Sequence, residues 1–437
     1  MRPRAWVLLL AAAFALMQLA TVTGRDTPDS KNYVSYALSL GGASKREAAA
    51  ATIDWACAGQ ASVVHRNQDV DVVRFHRPDP TPRVLTGCRA EEWRLVDRRL
   101  RAGQTEGHIV PFIGQRMKRI FEVRPGYPAF LLPFVTAFGV TWGVWLASVV
   151  VTVTGGVLAF LVLRTLSVPV PLALTGQALF YVLPCGTTAM RPMTEGLMLA
   201  LTLAAVWGCA LALTGRSRAG TALVGCSLLA LFAVKHSQSL FLGLCLAVAG
   251  TVVALRRRRH MGVPPARADS SARRSPWGRG LVGVTTTGCC AAVGTLILAR
   301  LLHYPSESES VQDLLTGHFA RPDRARPWAE FLRLEGRFWL EWARRQLSEP
   351  LFVAALAVGA WGTLRRRAFG CFLLAAAFTG ILNQAGHPDI NIWGDRLIVL
   401  VWLLPVVGVP LLLEPLVRRP VALPVQGHRE RQAHSMR

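Results

Sequence analysis

The sequence predicts an all-α protein: a polytopic transmembrane helical bundle of about ten spans with a large outer first loop. Three observations predict it. Of 437 residues, 52% are hydrophobic and only 17% charged, with a mean hydropathy of +0.34, a balance that excludes one or two soluble domains. Apolar runs long enough to cross a bilayer recur along the chain. Arginine clusters abut alternate ends of those runs, as the positive-inside rule requires. The formal charge of +23 is nearly all arginine, but it sits between apolar runs and forms no basic-aromatic stripe. Anionic lipid and phosphate groups suit it as partners; nucleic acid does not.

In chain order, a basic start, Met1 to Arg4, precedes the apolar run Ala5 to Val22. Residues 1–23 read as an uncleaved first span, since small-residue cleavage chemistry before Arg25 is poor. Residues 24–126 form an extracytoplasmic loop domain. Within it Asp29 can cap a helix through Leu40, and Ser44-Lys45-Arg46-Glu47 is a capping box opening the next helix. Val70 to Phe75 reads as a short strand, and Ile109 to Phe121 as an amphipathic helix lying on the membrane surface. Tyr127 to Phe138 is too short to span and reads as a re-entrant or interfacial piece.

Transmembrane helices occupy residues 127–255, with full-length candidates at 141–163, 168–184, 194–213, 219–234 and 238–255. Residues 256–279 read as a cytoplasmic, basic, disordered linker, followed by a span at 280–302. Residues 303–349 form a second outer loop, where Trp328, Phe331, Leu332, Phe338, Trp339 and Trp342 recur at helical spacing as an interfacial helix. Residues 350–415 hold the last three spans, 350–364, 368–384 and 397–415, and 416–437 a basic cytoplasmic tail. Both termini then face the cytoplasm, in a multi-pass protein of the cell membrane. Seven of nine cysteines lie in or beside apolar runs and read as small apolar side chains. Only Cys57 and Cys88 share a polar loop, where a disulfide and two free thiols both remain open.

Polar residues at the ends of apolar runs converge on the outer side. They are Asp29 and Tyr33, Arg124 with Tyr127, Arg191 and Glu195, Lys235 and His236, and His387, Asp389, Asp395 and Arg396. A carboxylate at a dry membrane edge can act as a general base on a hydroxyl. Cations at the same depth can hold a phosphate leaving group and neutralise its developing charge. Both are what glycosyl transfer from a lipid-phosphate sugar needs. His303 and His318 carry no spacing argument. No metal-ligand spacing, phosphate-binding glycine loop, nucleophile elbow or cofactor motif occurs, so no metal and no cofactor is expected.

Three segments carry a resemblance: Asp29-Ser30 with Tyr33 and Ala37 after the first span, Arg124-Pro125-Gly126-Tyr127-Pro128 closing the first loop, and Thr194-Glu195-Gly196-Leu197 opening a later helix. They resemble the acidic-aromatic first loop, the RP-x-YP segment and the helix start of the GT-C class of membrane glycosyltransferases, which use polyprenyl-phosphate sugars and are mannosyltransferase-like. The resemblance covers the plan of about residues 1–260 and only topology beyond. It implies an inverting hexosyltransferase with Asp29 as catalytic base, Arg124, Arg191 and Lys235 facing the lipid phosphate, and a lipid-linked sugar phosphate and membrane lipid as partners. Only Asp26 stands near Asp29 where relatives often pair acids, and Lys235-His236 replaces the usual start of the following span. A transporter or lipid flippase is the alternative, though the spans are nearly free of central charge; a non-enzymatic membrane assembly protein is a third reading. Each residue also has a plainer role. Asp29 and Glu195 suit helix capping, Arg124 a snorkelling side chain, His236 and His387 exposed loops, and Asp395-Arg396 a local ion pair.

Overall fold

The computed structural model describes residues 2–261, 276–389 and 396–418, and every regular element among them is helical. The chain is a multi-pass membrane protein. Among the described residues, seven helices are long and apolar enough to cross a bilayer, or up to eight if one bent pair counts as a single span. The first loop holds four helices: after α1 (Pro3–Met17) come α2 (Ser30–Leu40), α3 (Lys45–Asp69), α4 (Thr81–Arg101) and α5 (Gln115–Glu122). The bundle follows as α6 (Gly126–Thr165), α7 (Val170–Val182), α8 (Pro184–Ala189), α9 (Thr194–Leu213), α10 (Ser217–Met261) and α11 (Pro276–Leu301). The second loop contributes α12 (Glu307–Leu315) and α13 (Pro327–Ser348), and α14 (Pro350–Leu364), α15 (Arg367–Ala385) and α16 (Leu403–Arg418) complete the chain. Phe180, Leu203, Phe372 and Val406 meet in the core between α7, α9, α15 and α16.

Two long helices are broken where the site forms. At Gly139 (φ +70, ψ 173) α6 takes a left-handed step that glycine tolerates, and its short arm turns back so that Gly143 meets the backbone of Phe134 and Val135. Tyr127 to Phe138, expected as a re-entrant or interfacial piece, is the helical arm that precedes this break. Inside α10, Lys235 is extended (φ −159, ψ 91), and the flanking arms fold together, with Ser239 Oγ donating to the Leu228 carbonyl at 2.8 Å. The predicted spans at 219–234 and 238–255 are thus the two arms of a hairpin with Lys235 at its apex. Gly126 sits against that apex: a Cβ there would stand 2.8 Å from the Ala233 carbonyl carbon. The glycine between Arg124-Pro125 and Tyr127-Pro128 lets the end of the first loop close on Lys235.

Several local expectations change. The Ser44 box forms as read, with Ser44 Oγ accepting from Glu47 N and Glu47 Oε2 from Ser44 N. Val70 to Phe75 is a turn instead of a strand, because Asp71 Oδ1 accepts from the Val73 and Arg74 amides (2.9 and 3.0 Å) and diverts the donors a sheet would need. The helix expected from Ile109 spans only Gln115–Glu122 and is not a surface helix: Ile109 and Phe121 are buried against α2 and α6, and Lys118 Nζ, also buried, donates to the Glu106 carbonyl. Asp29 makes no capping bond; Ser30 Oγ accepts from Thr27 N instead (2.8 Å), leaving the carboxylate for other work. Arg256 to Arg259 continue α10 rather than beginning a linker, while 262–275 and the tail from 419 lie outside the described residues. The aromatic helix of the second loop is α13, bent 93° from α14, with Trp328, Leu332 and Leu340 exposed.

The arginine-rich ends gather at one end of the bundle. Arg418 donates to the Ser167 carbonyl after α6 and pairs with Glu414 (2.9 Å), which also receives Arg366 (3.0 Å). Cys57 and Cys88 are joined, tying α3 to α4. A cross-link of this separation contributes about 3 kcal/mol. Replacing either cysteine by serine should speed amide exchange across Ile53 to Ala61 by about a hundredfold, measured by hydrogen-exchange mass spectrometry. Unchanged exchange would show that the helical hairpin stands without the bridge.

Candidate functional site

At the opposite end, four charged side chains from four parts of the chain meet. Asp29, just before α2, forms an ion pair and hydrogen bond with Arg396 Nη2. Arg396 Nε reaches Glu195 Oε1 at 3.3 Å, and Lys235 Nζ stands 4.0 Å from the same oxygen. Thr194 Oγ1 donates to Glu195 Oε2 at 3.1 Å. Local structure explains each placement. Glu195 lies in the first turn of α9, where its carboxylate also meets the positive end of the helix. Lys235 is presented by the break in α10, and Arg396 by the residue that enters the 3-10 helix Leu397–Trp402. Glu195 is the most enclosed, its side chain 3% exposed, whereas Asp29 and Arg396 keep 20% and 19%. A carboxylate so enclosed is costly unless paired, and the two cations supply the pairing.

A second group adjoins Lys235. Arg124 and His236 lie near enough for their charges to act on it and on one another. Both carry a buried nitrogen, Arg124 Nε and His236 Nδ1, that finds no hydrogen-bond partner among the described residues. Tyr304, from the start of the second loop, closes the far side against His236 (ring centroids 5.1 Å). Tyr33 and Tyr127 form the floor. They are 1% and 3% exposed, meet edge to face at 5.4 Å, and lie within electrostatic reach of Glu195. Burial pushes the Tyr33 phenol up to about 12. The two tyrosines, predicted to touch substrate, are instead packed beneath the charged cluster.

The cluster opens onto a cavity of about 570 Å³. Its lining combines apolar Phe14 of α1, Tyr181 and Met190 with Arg25, Arg191, Arg396 and the acidic Asp26, and Thr27 and Pro28 lead from there to Asp29. Of the predicted residues, Asp29, Glu195, Lys235 and Arg396 are therefore in direct contact, Arg124 and His236 adjoin them, and Arg191 joins through the cavity. Asp395 lies outside the described residues. Arg396 pairs with both Asp29 and Glu195. His387 is half-buried rather than exposed, and that partial burial lowers its pKa. Sequence reasoning missed Phe14 and Arg25, which a run of apolar residues and a lone arginine do not flag.

No family model matches the chain, and no curated protein or solved structure matches it either.

Removing one partner of a buried ion cluster strands the others. Arg396→Met should lower stability by about 3 kcal/mol, read as a fall in thermal midpoint in detergent, because Glu195 then keeps only Lys235 at 4.0 Å. Adding Glu195→Gln should recover part of the loss. A midpoint unmoved by Arg396→Met would mean that the cluster contributes nothing to the fold.

Proposed function

We propose that the chain is a membrane glycosyltransferase that moves a sugar from a lipid-phosphate donor to an acceptor on the outer face. The observation that carries this reading is a cavity lined by apolar side chains together with three arginines, one of which, Arg396, holds Asp29. Such a cavity suits a ligand that is greasy at one end and anionic at the other. A soluble anion needs no wall of Phe14 and Met190, and a plain lipid needs no rim of three arginines. The disulfide in the first loop and the arginine clusters at the far end both favour an extracytoplasmic site.

On this reading Arg191 and Arg396 receive the phosphate, with Lys235 and Arg124 behind them. A guanidinium matches phosphate oxygens in bidentate fashion, and its charge offsets the negative charge that grows on the leaving group. Asp29 takes the acceptor hydroxyl proton as the new C1–O bond forms and the C1–O bond to phosphate breaks, the phosphate departing with the electron pair. Before substrate arrives, Arg396 occupies the Asp29 carboxylate. A phosphate in the cavity competes for that guanidinium and frees the carboxylate to act as base, so donor binding and base activation are coupled through one side chain.

The test uses the full chain in lipid nanodiscs with tritiated polyprenyl-phosphate mannose and polyprenyl-phosphate glucose as probes. Asp29→Asn should reduce release of polyprenyl phosphate by about a thousandfold while donor binding and protein level hold. Transfer undiminished in Asp29→Asn removes Asp29 as base. Binding of neither probe, with uptake of a solute in proteoliposomes, would replace the enzyme by a transporter.

A further inference from the structure

Four large apolar side chains project from one short turn of the first loop. Val70, Val72, Val73 and Phe75, between α3 and α4, are between 62% and 88% exposed. The turn that presents them is held by its own bonds. Asp71 Oδ1 accepts from the Val73 and Arg74 amides, the Phe75 amide donates to the Asp71 carbonyl (2.9 Å), and Gln68 Nε2 closes the base on the Arg77 and Pro78 carbonyls (3.0 and 3.1 Å). The acids are occupied: Asp71 also faces Arg74 at 3.8 Å, and the flanking Asp69 and Asp79 face His65 at 3.5 and 3.2 Å. What remains outward is apolar carbon edged by the exposed guanidinium groups of Arg74 and Arg77. A folded protein keeps such a patch in the open where it meets a partner or a membrane.

Close contacts fix the height of this turn. The approach to α3 touches the bundle at Gly41, where a Cβ would stand 3.1 Å from Leu132 in the first arm of α6. The later turns of α3 lie on Gly24, just past the apolar stretch Pro3–Thr21: a Cβ on Gly24 would stand 2.5 Å from Val63 Cγ2, 3.0 Å from Arg66 Nη2 and 3.2 Å from the Gly59 carbonyl oxygen. The helix therefore runs across the end of the bundle, from α6 to the mouth of α1, with both of its ties at the level where the spans end. Only about 6 Å of helix separates Arg66 from Val70, at 1.5 Å per residue. α1 lies at the edge of the bundle, with 11% of its apolar stretch buried and with Leu16 and Met17 of its last turn facing outward. Passing α1 there, α3 carries its apolar turn beyond the protein at the height of the membrane interface.

We propose that the turn Val70 to Phe75 is a lipid anchor, its apolar side chains entering the leaflet beside the mouth of α1 while Arg74 and Arg77 take headgroup phosphates. The turn is suited to that place. The amides of Asp71, Val73, Arg74, Phe75 and Arg77 already donate within it, so few backbone donors lose water on entry. Arginine stems lie along apolar surface while their charges reach anionic headgroups. The anchor also bears on the cavity. Gly24 and Asp26 line it, and α3 rests on both, a Cβ on Gly59 standing 3.1 Å from Asp26 Oδ1. A turn fixed in the leaflet keeps the α3–α4 hairpin seated at that opening, whatever ligand the cavity takes.

Two measurements test this on the full chain in nanodiscs of phosphatidylcholine and phosphatidylglycerol. In the wild-type chain, an aryl diazirine dissolved in the bilayer should label residues 70–75 about tenfold more than the exposed polar turn 102–106, read by peptide mass spectrometry. With p-benzoylphenylalanine in place of Val72, irradiation should yield phospholipid adducts, and adding Arg74→Gln with Arg77→Gln should cut that yield about threefold. Labelling of 70–75 no heavier than that of 102–106 overturns the anchor, as does irradiation that gives no lipid adduct at position 72. Adducts at 72 to a second copy of the chain, in place of lipid, also overturn it and make the turn a contact between copies. An undiminished yield without the two arginines overturns their part in the contact.

Discussion

The buried Glu195 carboxylate constrains everything around it. An anion enclosed at the end of a membrane helix is tolerable only with cations in reach, and here they come from distant parts of the sequence: Lys235 from the apex of a helical hairpin and Arg396 from the entry to the last span. Arg396 extends the tie to Asp29, so one guanidinium joins the first loop, α9 and the last span. Each tie also demands an irregular backbone. Lys235 can point inward only because α10 breaks there, and Gly126 has no side chain because the first loop must close on that break. Irregular backbone at membrane depth is tolerated where protein surrounds it, and the buried break at Lys235 meets that condition.

This arrangement explains why polar residues gather at one end of the bundle and arginine-rich ends at the other. Long α6 and α10 are each a pair of arms, and the turning point of α10 delivers Lys235 to the cluster that holds Asp29. Below that level the core polar contacts are neutral, as where Gln238 donates to Thr379 (2.9 Å) and accepts from Asn383 (2.6 Å). Neutral hydrogen bonds hold α10 to α15 without a charge to desolvate. Charge is reserved for the rim, where solvent and headgroups share its cost.

Much of this was legible in the sequence, and the reason is local. Apolar runs, alternating arginine clusters and the Ser44 capping box each depend on residues near one another in the chain, and all the predicted spans are helical. Co-location of Asp29, Glu195, Lys235 and Arg396 was legible too, because the topology alone returns those helix ends to one side. What residue type could not convey was orientation. Tyr33 and Tyr127 look like substrate contacts beside an acid, yet both are buried against one another and against Phe121, Val144 and Ala147. Val70 to Phe75 read as a strand, yet Asp71 within it is the acceptor that makes a turn.

The exposure pattern of the cluster then separates structural from chemical duty. Glu195, almost wholly enclosed, sits at the centre of the ties, and a proton or substrate reaching it would have to displace Arg396. Asp29 shares that arginine but retains an exposed fifth of its side chain and lies beside the cavity. Two carboxylates on one guanidinium therefore divide the work by depth: the deep one anchors the cation, and the shallow one can exchange it. An arginine held from below by Glu195 can swing from Asp29 toward an anion in the cavity without leaving the protein interior unpaired. The same ion cluster that secures the bundle thus supplies, on the proposed reading, the moving part that switches the base on.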